Sequence, residues 1–253
     1  MVRRRKPCSP ARPAMRNLPA RPPLSPVLAS RLTRETKAIS EAGDPKVEAE
    51  KRYRNARKAT WFAPVVRTLG KLAGPGERCM FCSGSESSDV EHYRPKAVFP
   101  ELAMTWENYL WSCTPCNRGK SNRFPPDTEP GERLINPMEE DVWTFFFIDE
   151  FGMLTPRFDP AVDALNRRGV TTRDLLSLNR EAVRESRQMR LNDLRQKVQD
   201  ALKLMRRNEL TKAAARQRLE TWKQQPWQPD VADFFLQGPG GDKPPFSTFL
   251  AAL

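Results

Sequence analysis

Two C-x-x-C pairs constrain this chain more than any other feature. They are Cys79-Met80-Phe81-Cys82 and Cys113-Thr114-Pro115-Cys116, with thirty residues between them. Four thiolates in two tight pairs make the donor set of a tetrahedral zinc site with no open position. Such a site closes the intervening chain into a loop and turns metal binding into folding energy for that region. An iron–sulfur cluster is the alternative occupant. The fifth cysteine, Cys8, stands apart from the pairs. The paired spacing, without an apolar export signal at the N-terminus, argues for metal over disulfides and for a reducing cytoplasm.

The loop between the pairs holds the only histidine of the sequence, His92, in Glu91-His92-Tyr93-Arg94-Pro95-Lys96. A lone histidine is most often structural, but here an acid stands directly before it. Residues 87–90 can lead into a short strand. On a strand, residues 91 and 92 point to opposite faces, and at a strand end that alternation relaxes, so both can approach one phosphate. Asn108 follows in Trp106-Glu107-Asn108-Tyr109-Leu110-Trp111, and Asn117 comes directly after Cys116, with Arg118, Gly119 and Lys120 behind it. A helix starting at the second cysteine pair puts Asn117 in its first turn, a place suited to an anionic substrate. Arg94, Lys96, Arg118, Lys120 and Arg123 are candidate phosphate contacts. Trp106 and Trp111 are expected to pack against the cysteine pairs rather than to stack on bases.

Together, C-x-x-C, E-H-x-x-P and N-x-L-x-x-C-x-x-C-N-x-x-K resemble the zinc-containing branch of the HNH (ββα-metal) nucleases. The longer strings EHYRPK and WENYLWSCTPCNRGK resemble the nuclease subunit of Septu anti-phage systems and of retron-associated relatives. The likeness is close over residues 79–120 and loose over 77–253, with echoes at Phe151-Gly152, at Leu178-Asn179 and at Pro245-Phe246-Ser247. It implies a nuclease with His92 as general base, neutral and able to take a proton near pH 7. It implies Glu91 and Asn117 as ligands of a catalytic divalent ion, Mg²⁺ or similar, and Asn108 as the brace of the loop that aims His92. Many members carry aspartate where this chain has Glu91. The resemblance further implies a DNA, RNA or tRNA substrate and a partner ATPase of the ABC type. The competing readings are a nuclease that works alone and a zinc module that only binds nucleic acid.

Charge is unevenly spread. The sequence carries a net +12, of which residues 1–30 supply seven cations and no acid, leaving +5 for the rest (12 − 7). Those residues also hold seven prolines. Residues 1–25 therefore read as a disordered basic tail, either for phosphate binding or for solubility. Residues 76–140, by contrast, hold seven basic and eleven acidic residues, so affinity for a polyanion is expected to come from elsewhere or from a partner.

The predicted fold is α+β and mainly helical: a small ββα-metal core stapled by the four cysteines, with helical additions on both sides. Helices are predicted over 26–42 and 45–72, the second broken near Pro64, within an N-terminal helical part at 26–75. The nuclease module is assigned to 76–140, its end from 124 a proline-rich loop. A C-terminal part at 141–253 is predicted to begin with a hairpin of strands at 143–148 and 153–155. Helices at 172–178, 180–207 and 209–223 follow, with Phe234, Phe235 and residues 246–250 packing back as anchors. No run of 18 apolar residues exists to span a membrane.

Overall fold

A computed structural model describes residues 18, 20–74, 76–86, 88–125, 133–224 and 229–253. The chain begins with α1 (Pro26–Ser40), α2 (Pro45–Lys58) and α3 (Ala63–Leu72). Each carries proline in its first turn, where the missing N–H costs nothing. Pro64 thus starts α3 rather than kinking a longer helix, and a 3-10 turn at Thr60–Phe62 separates α3 from α2. Ser25 and Asp44 accept backbone N–H bonds at the starts of α1 and α2.

The middle of the chain is an antiparallel pair, β1 (Ser88–His92) and β2 (Tyr109–Cys113), followed at once by α4 (Thr114–Lys120). Its register sets Ser88 against Cys113, Glu91 against Leu110 and His92 against Tyr109. All five β2 residues are buried, and α3 and α4 both pack on the two strands. Trp111 packs on the first cysteine pair as expected: its Nε1–H donates to the Glu77 carbonyl at 2.7 Å, and its carbonyl accepts from Met80 N at 2.8 Å.

The expected tail needs a correction at its end. Residues 1–17 and 19 lie outside the described residues, but residues 20–25 are placed, and Leu18 is buried. The Arg21 guanidinium donates to the carbonyls of Trp106 (2.9 Å) and Tyr109 (2.8 Å) and lies over the Trp106 ring. Trp106 Nε1–H returns a bond to the Pro22 carbonyl at 3.0 Å. A cation that satisfies carbonyls at the end of a buried hairpin has a fixed place, whatever the local composition suggests.

A second hairpin, β3 (Phe146–Ile148) and β4 (Leu154–Pro156), follows. The predicted strand from 143 starts later, because Asp141 caps a 3-10 turn at Val142–Thr144 through its side chain. Gly152 in the connecting turn has φ +76°, and a Cβ there would meet the Arg184 carbonyl and Gln188 N at 2.7 Å. Only glycine lets this turn lie against the helix beneath it. Two short strands, β5 (Phe158–Asp159) and β6 (Ala164–Leu165), lead into α5 (Arg167–Leu175), which occupies an earlier stretch than the predicted 172–178.

The long helix α6 (Glu181–Arg206) organises the C-terminal part, with α7 (Lys212–Lys223), α8 (Pro229–Ala232) and α9 (Phe246–Ala252) packed on it. Phe234, Phe235 and Phe246 form an aromatic stack with ring centroids 4.8 Å apart, so the expected anchors do pack back. A buried apolar cluster runs from Leu18 to Phe249. No helix among the described residues is long and apolar enough to cross a membrane.

Polar ties cross this core. Arg187 and Arg190 of α6 both reach Asp230 of α8, Arg190 Nη2 at 3.3 Å from one carboxylate oxygen and Arg187 Nε at 3.5 Å. Burial alone would push the Asp230 carboxyl up, but the two guanidiniums outweigh it and hold its pKa below the ordinary value. That interaction is fully present above the unfolded-state pKa of about 3.9 and is lost as pH falls through the folded-state value. Asp230→Asn leaves two buried guanidiniums without their counter-charge. It is expected to lower unfolding free energy at neutral pH by about 3–5 kcal/mol, and to flatten the acid limb of stability below about pH 4. Urea titrations at both pH values measure both effects.

Candidate functional site

The four cysteines converge. Cys79, Cys82, Cys113 and Cys116 are buried, and their Sγ atoms all lie within 4.8 Å of one another. Cys82 and Cys113 Sγ stand 3.7 Å apart, near the edge of about 3.8 Å that a tetrahedron with metal–sulfur bonds of about 2.3 Å requires. The first pair sits in a tight turn closed by Ser83 N–H to the Cys79 carbonyl and Cys79 N–H to the Gly84 carbonyl. Gly84 N–H also donates to Cys82 Sγ at 3.3 Å, and a Cβ on Gly84 would approach that sulfur to 3.1 Å. The second pair straddles the junction of β2 and α4, where Cys113 is the N-cap and Pro115 lies in the first turn. The residues fit a four-coordinate soft metal such as zinc.

Beside this cluster the hairpin carries Glu91 and His92 at the end of β1. His92 is buried, 6% exposed. Its Nε2 lies 2.9 Å from the Ala103 carbonyl, which also accepts the Tyr109 hydroxyl at 2.9 Å. A carbonyl only accepts, so Nε2 carries the proton and Nδ1 holds the lone pair. Burial lowers the His92 pKa to about 3, outweighing the bond to Ala103, so the ring is neutral at pH 7. Tyr53 of α2 covers it edge-on, ring centroids 4.5 Å apart. Two ion pairs tie α2 across the hairpin: Lys96 to Glu50 at 3.1 Å and Arg57 to Asp89 at 2.7 Å.

Asn108 occupies the bracing position. Its Oδ1 accepts Arg94 N–H at 2.8 Å, while its Nδ2 donates to the carbonyls of Arg94 (3.0 Å) and Leu102 (3.1 Å). Three bonds from one buried amide fix both ends of the segment that runs from His92 to the Ala103 carbonyl.

Helix α4 carries Asn117 and brings Lys120 to Glu91. Lys120 is fully buried and its Nζ lies 2.6 Å from Glu91 Oε1. Asn117, half-buried, is three residues earlier on the same helical face. Burial raises the Glu91 pKa against the pull of Lys120, and burial lowers that of Lys120 against the pull of Glu91. Lys120 therefore faces Glu91 and not solvent, unlike the surface phosphate contact expected from sequence. A buried carboxylate needs a counter-charge, and this lysine is within reach of it. The other expected contacts differ among themselves. Arg94 lies over the rings of Phe99 and Phe124, Lys96 is paired as described, Arg118 is exposed on α4, and Arg123 is exposed and bonds the Gly119 carbonyl.

Sequence reading missed three participants: Tyr53 over the base, Arg21 under the hairpin, and Arg180. The Arg180 guanidinium reaches the sulfurs of Cys82 (3.4 Å), Cys113 (3.4 Å) and Cys116 (3.6 Å), and Glu86 at 2.6 Å. The echo at Leu178-Asn179 was the available signal. Asn179 bonds both backbone groups of Leu154, and so fixes the segment that delivers the next residue to the cysteines.

No protein-family profile matches the chain. It is similar to the Septu protein PtuB of Bacillus thuringiensis, 29% identical over 126 residues that make up 48% of this chain and 44% of that protein. It is also similar to the Septu protein PtuB of Bacillus mycoides, 34% identical over 25% of this chain and 32% of the relative. A third likeness is to protein ea31 of Escherichia phage lambda, 25% identical over 39% of this chain and 33% of that protein. The chain thus spans less than half the length of each of these relatives.

The geometry predicts about one zinc per chain by elemental analysis. Cys79→Ser or Cys113→Ser is expected to give misfolded or insoluble protein, and a strong chelator to unfold the hairpin region of the native chain. Stable, folded protein free of metal would contradict the assignment of the four thiolates.

Proposed function

We propose that this chain is a metal-dependent endonuclease of the HNH (ββα-metal) type, acting in anti-phage defence with an ATPase partner. The observation that carries the reading is the state of His92. Its Nε2–H is committed to the Ala103 carbonyl, its Nδ1 keeps the lone pair, and an acid on the same strand faces an asparagine-bearing helix anchored at the cysteines. Similarity to Septu PtuB proteins supports the defence setting.

In this reading Nδ1 of His92 takes the proton from a water whose oxygen attacks phosphorus, while the bond to the leaving sugar oxygen breaks. Ala103 and Tyr53 fix the ring, and Asn108 holds the loop that carries the Ala103 carbonyl. Glu91 and Asn117 supply hard oxygen donors, suited to Mg²⁺ or a similar ion. Such an ion would offset charge on the phosphate and on the leaving oxygen. Lys120 holds the Glu91 carboxylate in place. Arg118, exposed on α4, and Arg123, exposed just beyond it, are cations open to a DNA or RNA backbone.

The site is covered in the isolated chain, since His92 lies beneath Tyr53 and α2. Substrate reaches it once α2 shifts, which gives a partner a physical means of control. The cysteine module is also short of positive charge for a polyanion, and among the described residues of 141–253 there is no second metal-ligating cluster. Those features favour a docking surface for an ABC-type ATPase over a nuclease that works alone.

The test is cleavage of DNA and of RNA by the purified chain, with and without the ATPase encoded beside it. His92→Ala is expected to lose activity on the order of 10²–10⁴-fold with zinc content unchanged. Glu91→Ala and Asn117→Ala should shift the Mg²⁺ response to higher concentration. Wild-type cleavage by His92→Ala would sink the mechanism. Separate elution of the two proteins on size-exclusion chromatography, with full activity of the lone chain, would replace the partnered reading with a solitary nuclease.

A further inference from the structure

The thiolate cluster is not built by the cysteine module alone. Four thiolates around a divalent ion leave two negative charges (four less two) in a buried setting. An uncompensated buried charge of that size is costly. The Arg180 guanidinium touches three of the four sulfurs from outside the module, 64 to 98 residues further along the chain. It is 19% exposed and stands at the N-cap of α6, the helix on which the C-terminal part is assembled. The residues just before it close over the same cluster: the Leu176 carbonyl lies 3.9 Å from Cys116 Sγ. At Gly119 of α4, a Cβ would meet the Leu175 carbonyl at 3.0 Å. Glu86, beside the first cysteine pair, holds the guanidinium from the other side at 2.6 Å.

We propose that Arg180 is the electrostatic partner of the metal centre and couples metal loading to the seating of residues 175–253 on the cysteine module. A planar guanidinium offers several N–H donors in a fixed fork, so one side chain serves three sulfurs and a carboxylate together. Donation to a thiolate lowers the energy of its lone pairs and the charge that the metal must balance. With metal in place, Arg180 and α6 have a concentrated negative site to dock on. Without it, nothing holds the four sulfurs together and the guanidinium has no single point to dock on. The proposal holds whether or not the chain cuts nucleic acid.

Arg180→Met keeps the aliphatic stem and removes the donors, while Arg180→Lys keeps the charge. In full-length protein loaded with zinc, Arg180→Met is expected to release metal to a chromogenic chelator faster, by about 10- to 100-fold. Arg180→Lys should restore most of the difference. With Co²⁺ in place of zinc, loss of the hydrogen bonds in Arg180→Met should move the sulfur-to-cobalt charge-transfer band to lower energy, a signature that general loosening of the fold does not produce. Limited proteolysis should cut within residues 175–253 of wild type only after metal removal, and in Arg180→Met with metal present. Wild-type release and an unmoved cobalt band in Arg180→Met overturn the proposal. If Arg180→Met does not fold, the decision falls to Arg180→Gln, which loses the charge and most of the donors. A shifted cobalt band with metal held supports the proposal, and an unshifted band overturns it.

Discussion

The convergence of four cysteine sulfurs is the interaction on which the rest of the structure depends. It joins the turn before β1 to the junction of β2 and α4, and so fixes where α4 leaves the hairpin. Asn117 and Lys120 lie on that helix, and Lys120 reaches Glu91 only because the helix starts at Cys113. The hairpin register then places His92 beside Tyr109, whose hydroxyl shares the Ala103 carbonyl with the histidine ring. One local knot of sulfur thus sets the geometry of a carboxylate and an imidazole on β1 and an amide on α4.

Buried charge is handled in the same way at three places, always by a partner distant in sequence. Glu91 meets Lys120, Asp230 meets Arg187 and Arg190, and the thiolates meet Arg180. Such pairs contribute little net stability compared with an apolar core, but breaking one is expensive, because the remaining charge is left desolvated. They therefore specify which element docks where. The α5–α6 junction is the clearest case, since Asn179 fixes β4 while the adjacent Arg180 reaches the cysteines.

What the sequence disclosed was local. The C-x-x-C spacing forecast the sulfur cluster, and the helical segments from 26 and from 45 forecast the starts of α1 and α2. The resemblance implied that Asn108 braces a loop; in the structure its amide bonds the backbone of Arg94 and Leu102. Strand and helix ends drifted where side chains compete with the backbone, as Asp141 does at the start of β3. The remainder was hidden because it is long-range. Nothing about Lys120 on a basic helix end distinguishes a phosphate contact from a buried counter-ion until Glu91 is seen beside it. Arg21 read as part of a basic tail because composition says nothing about two carbonyls 85 and 88 residues away. Tyr53 lies on a helix whose apolar stripe gave no hint that a histidine would sit beneath it.

In the proposed function, one soft-metal knot holds a separate, hard-donor site at Glu91 and Asn117. Diffraction from crystals soaked in Mn²⁺, with anomalous data collected at the zinc and manganese edges, tests it most directly. The account predicts a zinc peak amid the four sulfurs and a manganese peak within bonding distance of a Glu91 carboxylate oxygen and the Asn117 amide oxygen. A fully occupied zinc site with no manganese near Glu91, its carboxylate still held by Lys120, would contradict it.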